Sequence, residues 1–300
     1  MAREPGGAGG LGDFGDFGGV GRSRGPRGLA GRAAWGLRAY GLIAAMWIRS
    51  TMAYRFSFVV SLLVDAVATF FDFVVIWLMF THVRGLGGFS FAEVAFLYGT
   101  TGTAFGLADL AVGQAEKVGR RVRDGTLDAL LVRPAPVLAQ VAADRFALRR
   151  LGRVTQGLLV LVWSLVVLDG VEWTPLTVAM VPLMTLTGAV IFGSLMTAGA
   201  AFQFWAQDGA QVTNAFTHGG NTLLQYPPSV FAGDLVRGVV YVVPLAFVNW
   251  VPALYVLGRD APAGLPPWAA FAPPLVAAAC VAVAGLAWRA GLRAYRSTGS

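Results

Sequence analysis

The chain has 300 residues, of which 56% are hydrophobic and 13% are charged, and its mean hydropathy is +0.63. Because soluble domains carry roughly a quarter charged residues, this composition excludes an ordinary soluble protein and indicates an all-α integral membrane protein. The formal net charge of +7 is almost entirely arginine, which in a membrane protein is typical of cytoplasmic loops and argues against a nucleic-acid partner.

The N-terminal segment is of low complexity. Residues 1–32 are dominated by glycine, with arginine and proline, and lack the apolar run of a signal peptide. We predict a disordered cytoplasmic tail over residues 1–32. A single transmembrane domain over residues 33–300 is expected to follow.

Residues 33–55 have the pattern of an amphipathic helix. The large apolar residues at helical spacing are Trp35, Leu42, Met46 and Trp47. Such a helix is predicted to lie in the cytoplasmic interface, in contact with membrane lipid, with Arg38 and Arg49 directed toward lipid phosphates. The alternative is that this segment continues the first span into the cytosol.

Apolar runs long enough to cross a membrane come next. A transmembrane helix needs about 20 mostly apolar residues. The runs that meet this requirement are Phe56–Phe80, Phe91–Val112, Leu151–Leu168, Leu176–Phe202 and Trp268–Trp288. Residues 203–258 are harder to assign, because their first half is semi-polar and their second half is interrupted by Pro244, Asn249 and Pro252.

The distribution of arginine predicts the orientation. Arginine is abundant in residues 1–55, 113–153 and 289–296, whereas residues 81–90 contain one and residues 169–175 contain none. By the positive-inside rule the basic regions, and hence both termini, are cytoplasmic. The number of crossings must then be even, and we predict six transmembrane helices.

Six crossings allow only one half of residues 203–258 to span the membrane. We favour a crossing by Ala210–Tyr226 and a re-entrant hairpin within residues 227–258, which lipid tolerates where protein shields the backbone. The opposite assignment is the alternative. The residues expected to shape the re-entrant region are Tyr226, Pro227, Pro228, Pro244, Asn249 and Pro252.

The sequence lacks common catalytic and metal-binding motifs. It contains no GxxxxGK(S/T) phosphate-binding loop, no HExxH and no GxSxG, and its only lysine, Lys117, precedes Val-Gly. The histidines, His82 and His218, are far apart, and the single cysteine, Cys280, lies in an apolar run. We therefore expect no catalytic residue, no metal and no cofactor held by this chain.

Two carboxylates lie within the first predicted span. Asp65 and Asp72 are seven residues apart and share one helix face. Because a carboxylate is costly in hydrocarbon, they should face protein or water, either as a cation or proton path or as structural anchors. We favour anchors, since no other predicted span offers a matching charge. Asp109, Glu93 and Arg237 lie near span ends and are expected to be interfacial.

The second predicted span contains a glycine motif. Gly102 and Gly106 form a GxxxG pattern, with Gly99 nearby. Small residues at this spacing let membrane helices pack closely. We predict a close helix contact at this position.

The loop over residues 113–150 is longer than a connection between spans requires, and it contains a compact cassette. The cassette residues are Arg120, Arg121, Arg123, Asp124, Gly125, Thr126, Leu127, Asp128, Leu130, Leu131, Arg133 and Pro134. We predict a short helix that Thr126 caps, that has Asp128 in its first turn and that ends before Pro134. Its leucines are expected to form an apolar face offered to a cytosolic partner.

The cassette and the proline-rich late segment together resemble a known family. From about Leu37 to Arg296 the chain is similar to ABC-2-type permeases, the membrane subunits of ATP-driven exporters. The resemblance rests on the initial LRAY…RSTMAYRF, on RDGTLDALLVRP and on YPPSVF…VPLAFVNWVPALYVLG. The last stretch is most similar to the subgroup that pairs with a second, different permease and a separate ATPase.

The resemblance implies an architecture and a role. It implies an interfacial helix, six spans, a coupling helix between spans two and three, and re-entrant helices before the last span, in a bacterial plasma membrane. The cassette then resembles the coupling helix that docks into an ABC ATPase subunit, which binds ATP and Mg²⁺ in place of this chain. A heterodimer or homodimer of permeases is expected to pass a substrate outward.

Two other functional classes remain as alternatives. One is a proton- or ion-coupled secondary transporter that uses Asp65 and Asp72. The other is a membrane scaffold without transport. The sequence does not indicate which substrate is moved.

Overall fold

The computed structural model describes residues 29–83, 85–206 and 209–296. These residues form helices and their connections, without a β-strand, as the all-α prediction requires. The α-helices are α1 (Leu29–Ala53), α2 (Arg55–His82), α3 (Phe91–Val112), α4 (Val118–Arg123), α5 (Asp128–Leu131), α6 (Val137–Ala143), α7 (Leu151–Val167), α8 (Pro175–Phe202), α9 (Ala210–Leu224), α10 (Gly233–Arg237), α11 (Trp250–Val256) and α12 (Pro273–Ala294). The short 3-10 segments are Gly113–Lys117, Leu148–Arg150, Pro228–Val230, Leu245–Phe247, Pro262–Gly264 and Pro267–Phe271, and Gly238–Val242 is a π-helical turn.

The described helices make this a multi-pass membrane protein. The segments long and apolar enough to cross are Arg55–His82, Leu148–Val167, Pro175–Phe202 and Pro273–Ala294, with a fifth span if the bent pair Gly233–Val242 and Leu245–Val256 counts as one. α3, with 22 residues, is buried by protein over most of its length, and α9 has only 15 residues. The described helices therefore include four or five candidate spans, and the six crossings stay a prediction.

The N-terminal helix is separate from the first span. α1 begins at Leu29, four residues before the predicted domain boundary, and residues 1–28 of the predicted tail lie outside the described residues. Tyr54, with φ −112° and ψ 57°, breaks the helix between α1 and α2. Two of the predicted lipid-facing side chains, Leu42 and Met46, are exposed. α1 is thus a distinct helix and not a straight extension of α2.

Two helices, α3 and α8, begin at residues whose side chains cap the helix. At the start of α3, Ser90 Oγ accepts from the Glu93 N–H at 3.3 Å and Glu93 Oε2 accepts from the Ser90 N–H at 2.7 Å. Thr174 and Thr177 form the equivalent reciprocal pair at α8, which Pro175 opens. These side chains satisfy backbone donors that have no partner within a helix.

The glycine motif brings α3 against α7, as predicted. A Cβ atom added at Gly99 would lie 2.6 Å from the Leu161 backbone nitrogen, and one at Gly157 would lie 2.7 Å from the Thr103 nitrogen. Gly106 faces Val154 in the same way. The two backbones therefore touch where only glycine fits, which fixes α7 against the buried α3.

Residues 225–259 begin and end next to the same part of the bundle, the connection between α2 and α3. Ser229 Oγ donates to the Gly87 carbonyl at 2.8 Å, in the connection between α2 and α3. The chain then forms two helical arms bent by 81°. It returns to the same connection, where Arg259 donates to Gly88 O at 2.9 Å and to Glu93 Oε1 at 2.8 Å. After the bend, Val248 packs against Gly188, in the middle of α8.

Candidate functional site

The predicted cassette forms a helical turn between two breaks. α4 ends at Arg123, and Gly125 has a φ of +64°, a conformation that favours glycine. α5 follows over Asp128–Leu131 and stops before Pro134. The chain therefore forms a short α4–turn–α5 unit over these residues.

The predicted role of Thr126 as a helix cap is wrong. Leu127 occupies the cap position, already in helical conformation, and no side chain caps α5. Thr126 Oγ1 instead lies 3.5 Å from the Arg121 carbonyl, at the end of the preceding helix. Because the turn is already helical at Leu127, the Thr126 hydroxyl points back toward α4. Asp128 Oδ1, meanwhile, accepts from the Tyr295 hydroxyl at 2.9 Å.

The prediction that all of the cassette leucines face a cytosolic partner is wrong, because two of them are buried within the permease. Leu127 is 0% and Leu130 is 7% exposed, and both pack into a cluster with Ala200, Phe204 and Trp288. The short helix is therefore fastened to the ends of α8 and α12 by its own leucines. Leu131, at 44% exposure, faces the other way.

The exposed side of the cassette is a mixed apolar and charged surface, which we call the cassette face. Its apolar centre is Leu131 together with Val132, which is 87% exposed. The remaining exposed residues are Arg120, Arg123, Asp124, Thr126, Ala129, Arg133 and Pro134. Exposed apolar side chains close in sequence to exposed charged ones are typical of a protein-binding surface.

Polar side chains that the sequence did not single out hold the cassette rigidly. Gln140 Nε2 donates to the carbonyls of Leu130 at 2.9 Å and Ala135 at 2.8 Å. Gln203 Oε1, at the end of α8, accepts from the Gly119 N–H at 2.7 Å. Gly119 and Gln203 lie 84 residues apart in sequence, so no local pattern could have predicted this hydrogen bond.

A second polar region, which we call the charged cleft, lies between α2, α3, α7 and α9. Its volume is about 350 Å³, and its lining side chains are Asp65, Ala68, Asp72, Asp109, Glu116, Arg149, Arg150, Arg153 and His218. The lining is mostly ionisable although the surrounding helices are apolar. Such a cleft is suited to water or to polar groups at membrane depth.

The cleft overturns the expectation that the acidic residues of the first span have no matching charge. Arg149 Nε lies 3.9 Å from Asp65 Oδ2. Asp109, in the last turn of α3, is only 5% exposed and pairs with Arg150 at 3.1 Å and with Arg153 at 3.5 Å. These arginines lie in the 3-10 segment and the first turn of α7 that open the candidate span Leu148–Val167, whose predicted start was Leu151. The predicted start at Leu151 left Arg149 and Arg150 outside the span.

Asp72 lies where the charged cleft meets a smaller polar cavity of about 180 Å³. That cavity extends between Tyr98, Gln156, Asn221 and Gln225, and Gln156 Nε2 donates to the Tyr98 hydroxyl at 3.1 Å. A sequence signal for it exists: four polar residues of α9 and its C-terminal cap share one face at spacings of three and four, namely Asn214, His218, Asn221 and Gln225.

Glu116 is a carboxyl group of the cleft whose pKa lies near neutral pH. Burial, and after it the Asp109 carboxylate, raises the pKa of Glu116 to about 7, against an ordinary 4.5. Arg150, Lys117 and Arg153 act in the opposite direction. Because the folded-state pKa is raised, this group contributes stability at low pH that is lost as the pH rises through 7.

Replacing Glu116 with glutamine should therefore flatten the pH dependence of stability. We expect the melting temperature of the wild-type protein to fall between pH 5.5 and pH 8, and the variant to lose this fall, with a gain of up to about 3 kcal/mol at pH 8. Thermal unfolding of purified protein across this pH range is the measurement. Glu172→Gln, at an exposed carboxylate, should change nothing, and parallel wild-type and Glu116→Gln curves would contradict the assignment.

The predicted re-entrant residues meet at a fully buried asparagine. Asn249 is 0% exposed, and its Nδ2 lies 3.0 Å from Leu97 O, 2.6 Å from Thr101 Oγ1 and 3.1 Å from Leu224 O. Thr100 Oγ1 donates to Asn249 Oδ1 at 3.1 Å. This side chain therefore ties α3, the end of α9 and the start of α11 together.

The other re-entrant residues surround this hub. Trp250 Nε1 donates to the Tyr226 carbonyl at 2.9 Å, Pro227 and Pro228 begin the 3-10 turn after α9, and Pro244 precedes the 3-10 segment at the bend. Pro252 is buried in the first turn of α11, where a missing N–H is tolerated. The prolines thus stand at the ends of helical pieces.

Comparison with known sequences identifies the family. Residues 66–299 match the profile described as ABC-2 family transporter protein. No curated protein and no solved structure matches the chain. Since the matched residues cover most of the chain, including the cassette, the asparagine hub and all of the charged cleft except Asp65, the protein belongs to the ABC-2 family of transporter proteins.

Membership defines the class of function. The chain is a multi-pass membrane component of an ABC transporter, a permease without an ATPase site of its own, and its family associates with ATPase subunits. Within the described residues, no group of three or more His, Cys, Asp and Glu side chains comes together as a metal site.

Proposed function

We propose that this permease moves a substrate outward, driven by ATP that separate ABC ATPase subunits hydrolyse. The observation that carries the proposal is the two-sided cassette: Leu131 and Val132 face solvent, whereas Leu127 and Leu130 are anchored on α8 and α12. An ATPase bound at the cassette face would thereby be linked mechanically to membrane helices. ATP and Mg²⁺ belong to that subunit.

The link between cassette and membrane helices is short and stiff. Leu127 belongs to one buried cluster with Phe204, just after α8, and Trp288 of α12, and these two rings contact each other at 5.4 Å between centroids. Tyr295, after α12, reaches Asp128. A displacement of α5 therefore reaches two candidate spans through packed side chains.

We propose six crossings, with both termini in the cytoplasm of a bacterial cell and residues 227–258 re-entrant. The contacts of Ser229 with Gly87 and of Arg259 with Glu93 support this arrangement, because both ends of the bent segment meet the connection between α2 and α3. α9 with the following turn then completes the fifth crossing. The swapped assignment would place these ends on opposite sides of the membrane.

Labelling of single cysteines in intact cells tests the topology. In a Cys280→Ala background, cysteines at Ser229 and Asp260 should both react with a membrane-impermeant maleimide added outside, and a cysteine at Arg133 should react only after permeabilisation. Reporters fused after residue 300 should show cytoplasm, and those within residues 81–90 the outside. An outside C-terminus, or labelling of only one end of the segment, would contradict the six-span arrangement.

We propose a dimer in which a second permease, different or identical, covers part of α2. This helix packs against α7 and, through Phe73 and Phe80, against Phe91 of α3. Many of its other apolar side chains are exposed, including Phe56, Val64, Phe71 and Val75. A partner at this face would also close the open side of the charged cleft, where Asp72 lies exposed. The substrate path would then run along the dimer interface.

The ion pair between Asp65 and Arg149 supports a structural role for the acidic pair over a proton path. We expect Asp65→Asn and Asp72→Asn to alter stability or assembly without giving transport a new dependence on pH. The measurement is ATP-driven transport at several pH values at matched protein levels. Intact assembly with lost proton coupling in either variant would instead favour an ion-coupled carrier.

A further inference from the structure

A pocket lies at the elbow where α1 meets α2, next to the turn that precedes α7. Its volume is about 470 Å³. The aromatic side chains in its wall are Trp47, Tyr54, Phe58 and Phe146. The hydroxyl side chains in its wall are Ser50, Thr51, Ser57 and Ser61, and the basic ones are Arg145 and Arg149. We call it the elbow pocket.

The two arginines reach the pocket from one tightly held turn. Arg145 has a φ of 48°, which is uncommon for a residue other than glycine, and Gln114 Nε2 donates to its carbonyl at 3.2 Å. The Arg149 side chain is 58% exposed and meets Asp65 only at 3.9 Å. A guanidinium has five N–H donors, so this distant pair leaves Arg149 able to bind an anion.

The surroundings of the pocket carry excess positive charge. Burial lowers the pKa of the nearby Lys117, and Arg150, Arg145, Arg149 and Arg120 lower it further. Positive charges that lie this close together attract an anion to their common side.

The aromatic wall indicates that this anion has an apolar body. Tyr54 and Phe56 at the elbow are 75% and 84% exposed, and the apolar side chains of α2 continue from there. Tryptophan and tyrosine are favoured at the level of lipid headgroups. A small soluble anion would need the arginines alone, whereas a lipid uses the arginines for its phosphate and the rings for its glycerol and chains.

We propose that the elbow pocket binds the headgroup phosphate of an anionic phospholipid from the cytoplasmic leaflet, with its acyl chains lying along α2. The site rests on the proposed orientation, in which the elbow faces the cytoplasm. A lipid bound in the elbow pocket would fix the position of α1 relative to α2. It would also lie beside the charged cleft, since Arg149 lines both the elbow pocket and the cleft.

Lipid titration by native mass spectrometry tests the site. The delipidated full-length permease, alone and with its co-purified ATPase, is titrated with dioleoylphosphatidylglycerol, with dioleoylphosphatidylcholine and with inorganic phosphate. The variant Arg145→Gln/Arg149→Gln should bind phosphatidylglycerol roughly 30-fold more weakly than wild type, because each arginine near a membrane surface contributes about fivefold. Arg145→Gln alone, which keeps the Arg149–Asp65 pair, should lose roughly fivefold.

The control removes the same charge elsewhere. Arg289→Gln/Arg293→Gln, at two exposed positions at the end of α12, should bind the lipid as wild type does. Equal losses in both double variants, equal binding of the two lipids, or full competition by inorganic phosphate would each overturn the site. Because the readout is lipid retention, a wild-type protein that captures its ATPase but shows no lipid preference refutes this site and leaves the proposed function standing.

Discussion

Replacing Leu131 with aspartate should abolish capture of the ABC ATPase subunit while the permease still folds and inserts. Leu131 and Val132 are the exposed apolar centre of the cassette face, so a charge there would be buried without a partner on docking. The expected penalty is on the order of several kcal/mol, enough to remove the complex. The measurement is co-purification of both subunits from membranes with matched permease levels, with ATP-driven transport lost in parallel.

Two further variants separate docking from folding. Leu130→Asp should fail in a different way, because Leu130 is buried against the permease and the charge would lower the yield and melting temperature of the permease itself. Arg123→Ala, at the exposed rim, should cost about 1 kcal/mol or less. If Leu131→Asp and Val132→Asp both capture the ATPase as wild type does, the cassette face is not the docking surface.

Replacing Asn249 with leucine should strongly destabilise the permease. The substitution removes the side chain that bonds to α3 and to the Leu224 carbonyl at the end of α9, and it leaves buried polar atoms without a partner. We expect a loss of about 2–4 kcal/mol, seen as a lower melting temperature and faster hydrogen exchange over residues 225–256. The control is Thr187→Val, since Thr187 bonds only within its own helix among the described contacts, and it should cost less than about 0.5 kcal/mol. An Asn249→Leu protein as stable as the control would show that the hub does not hold the bent segment.

The local features of the fold could be predicted from the sequence because their causes are local. Apolar runs predicted α2, α7, α8 and α12, and the GxxxG motif predicted a close helix contact of α3, although not that α7 provides it. The breaks at Gly125 and Pro134 follow from backbone conformation alone. Each of these inferences uses residues within about one helix of one another.

The features that were missed depend on pairs distant in sequence or on a helix too short to show a period. α5 has four residues, so nothing in its sequence shows that Leu130 faces inward and Leu131 outward. Asp65 lies 84 residues before Arg149, counted from their numbers. A carboxylate in a predicted span indicates that a partner is needed but not which residue supplies it.

Site-specific photo-crosslinking tests the central claim most directly. A photoreactive phenylalanine analogue placed at position 132, in the full-length permease in its own membrane, should form an adduct with an ABC ATPase whose peptides carry a phosphate-binding loop, and the yield should change when ATP is bound. The same analogue at position 130 should crosslink only within the permease, toward α8 and α12. A correctly inserted, transport-active permease that yields no ATPase adduct from position 132 would contradict coupling through the cassette.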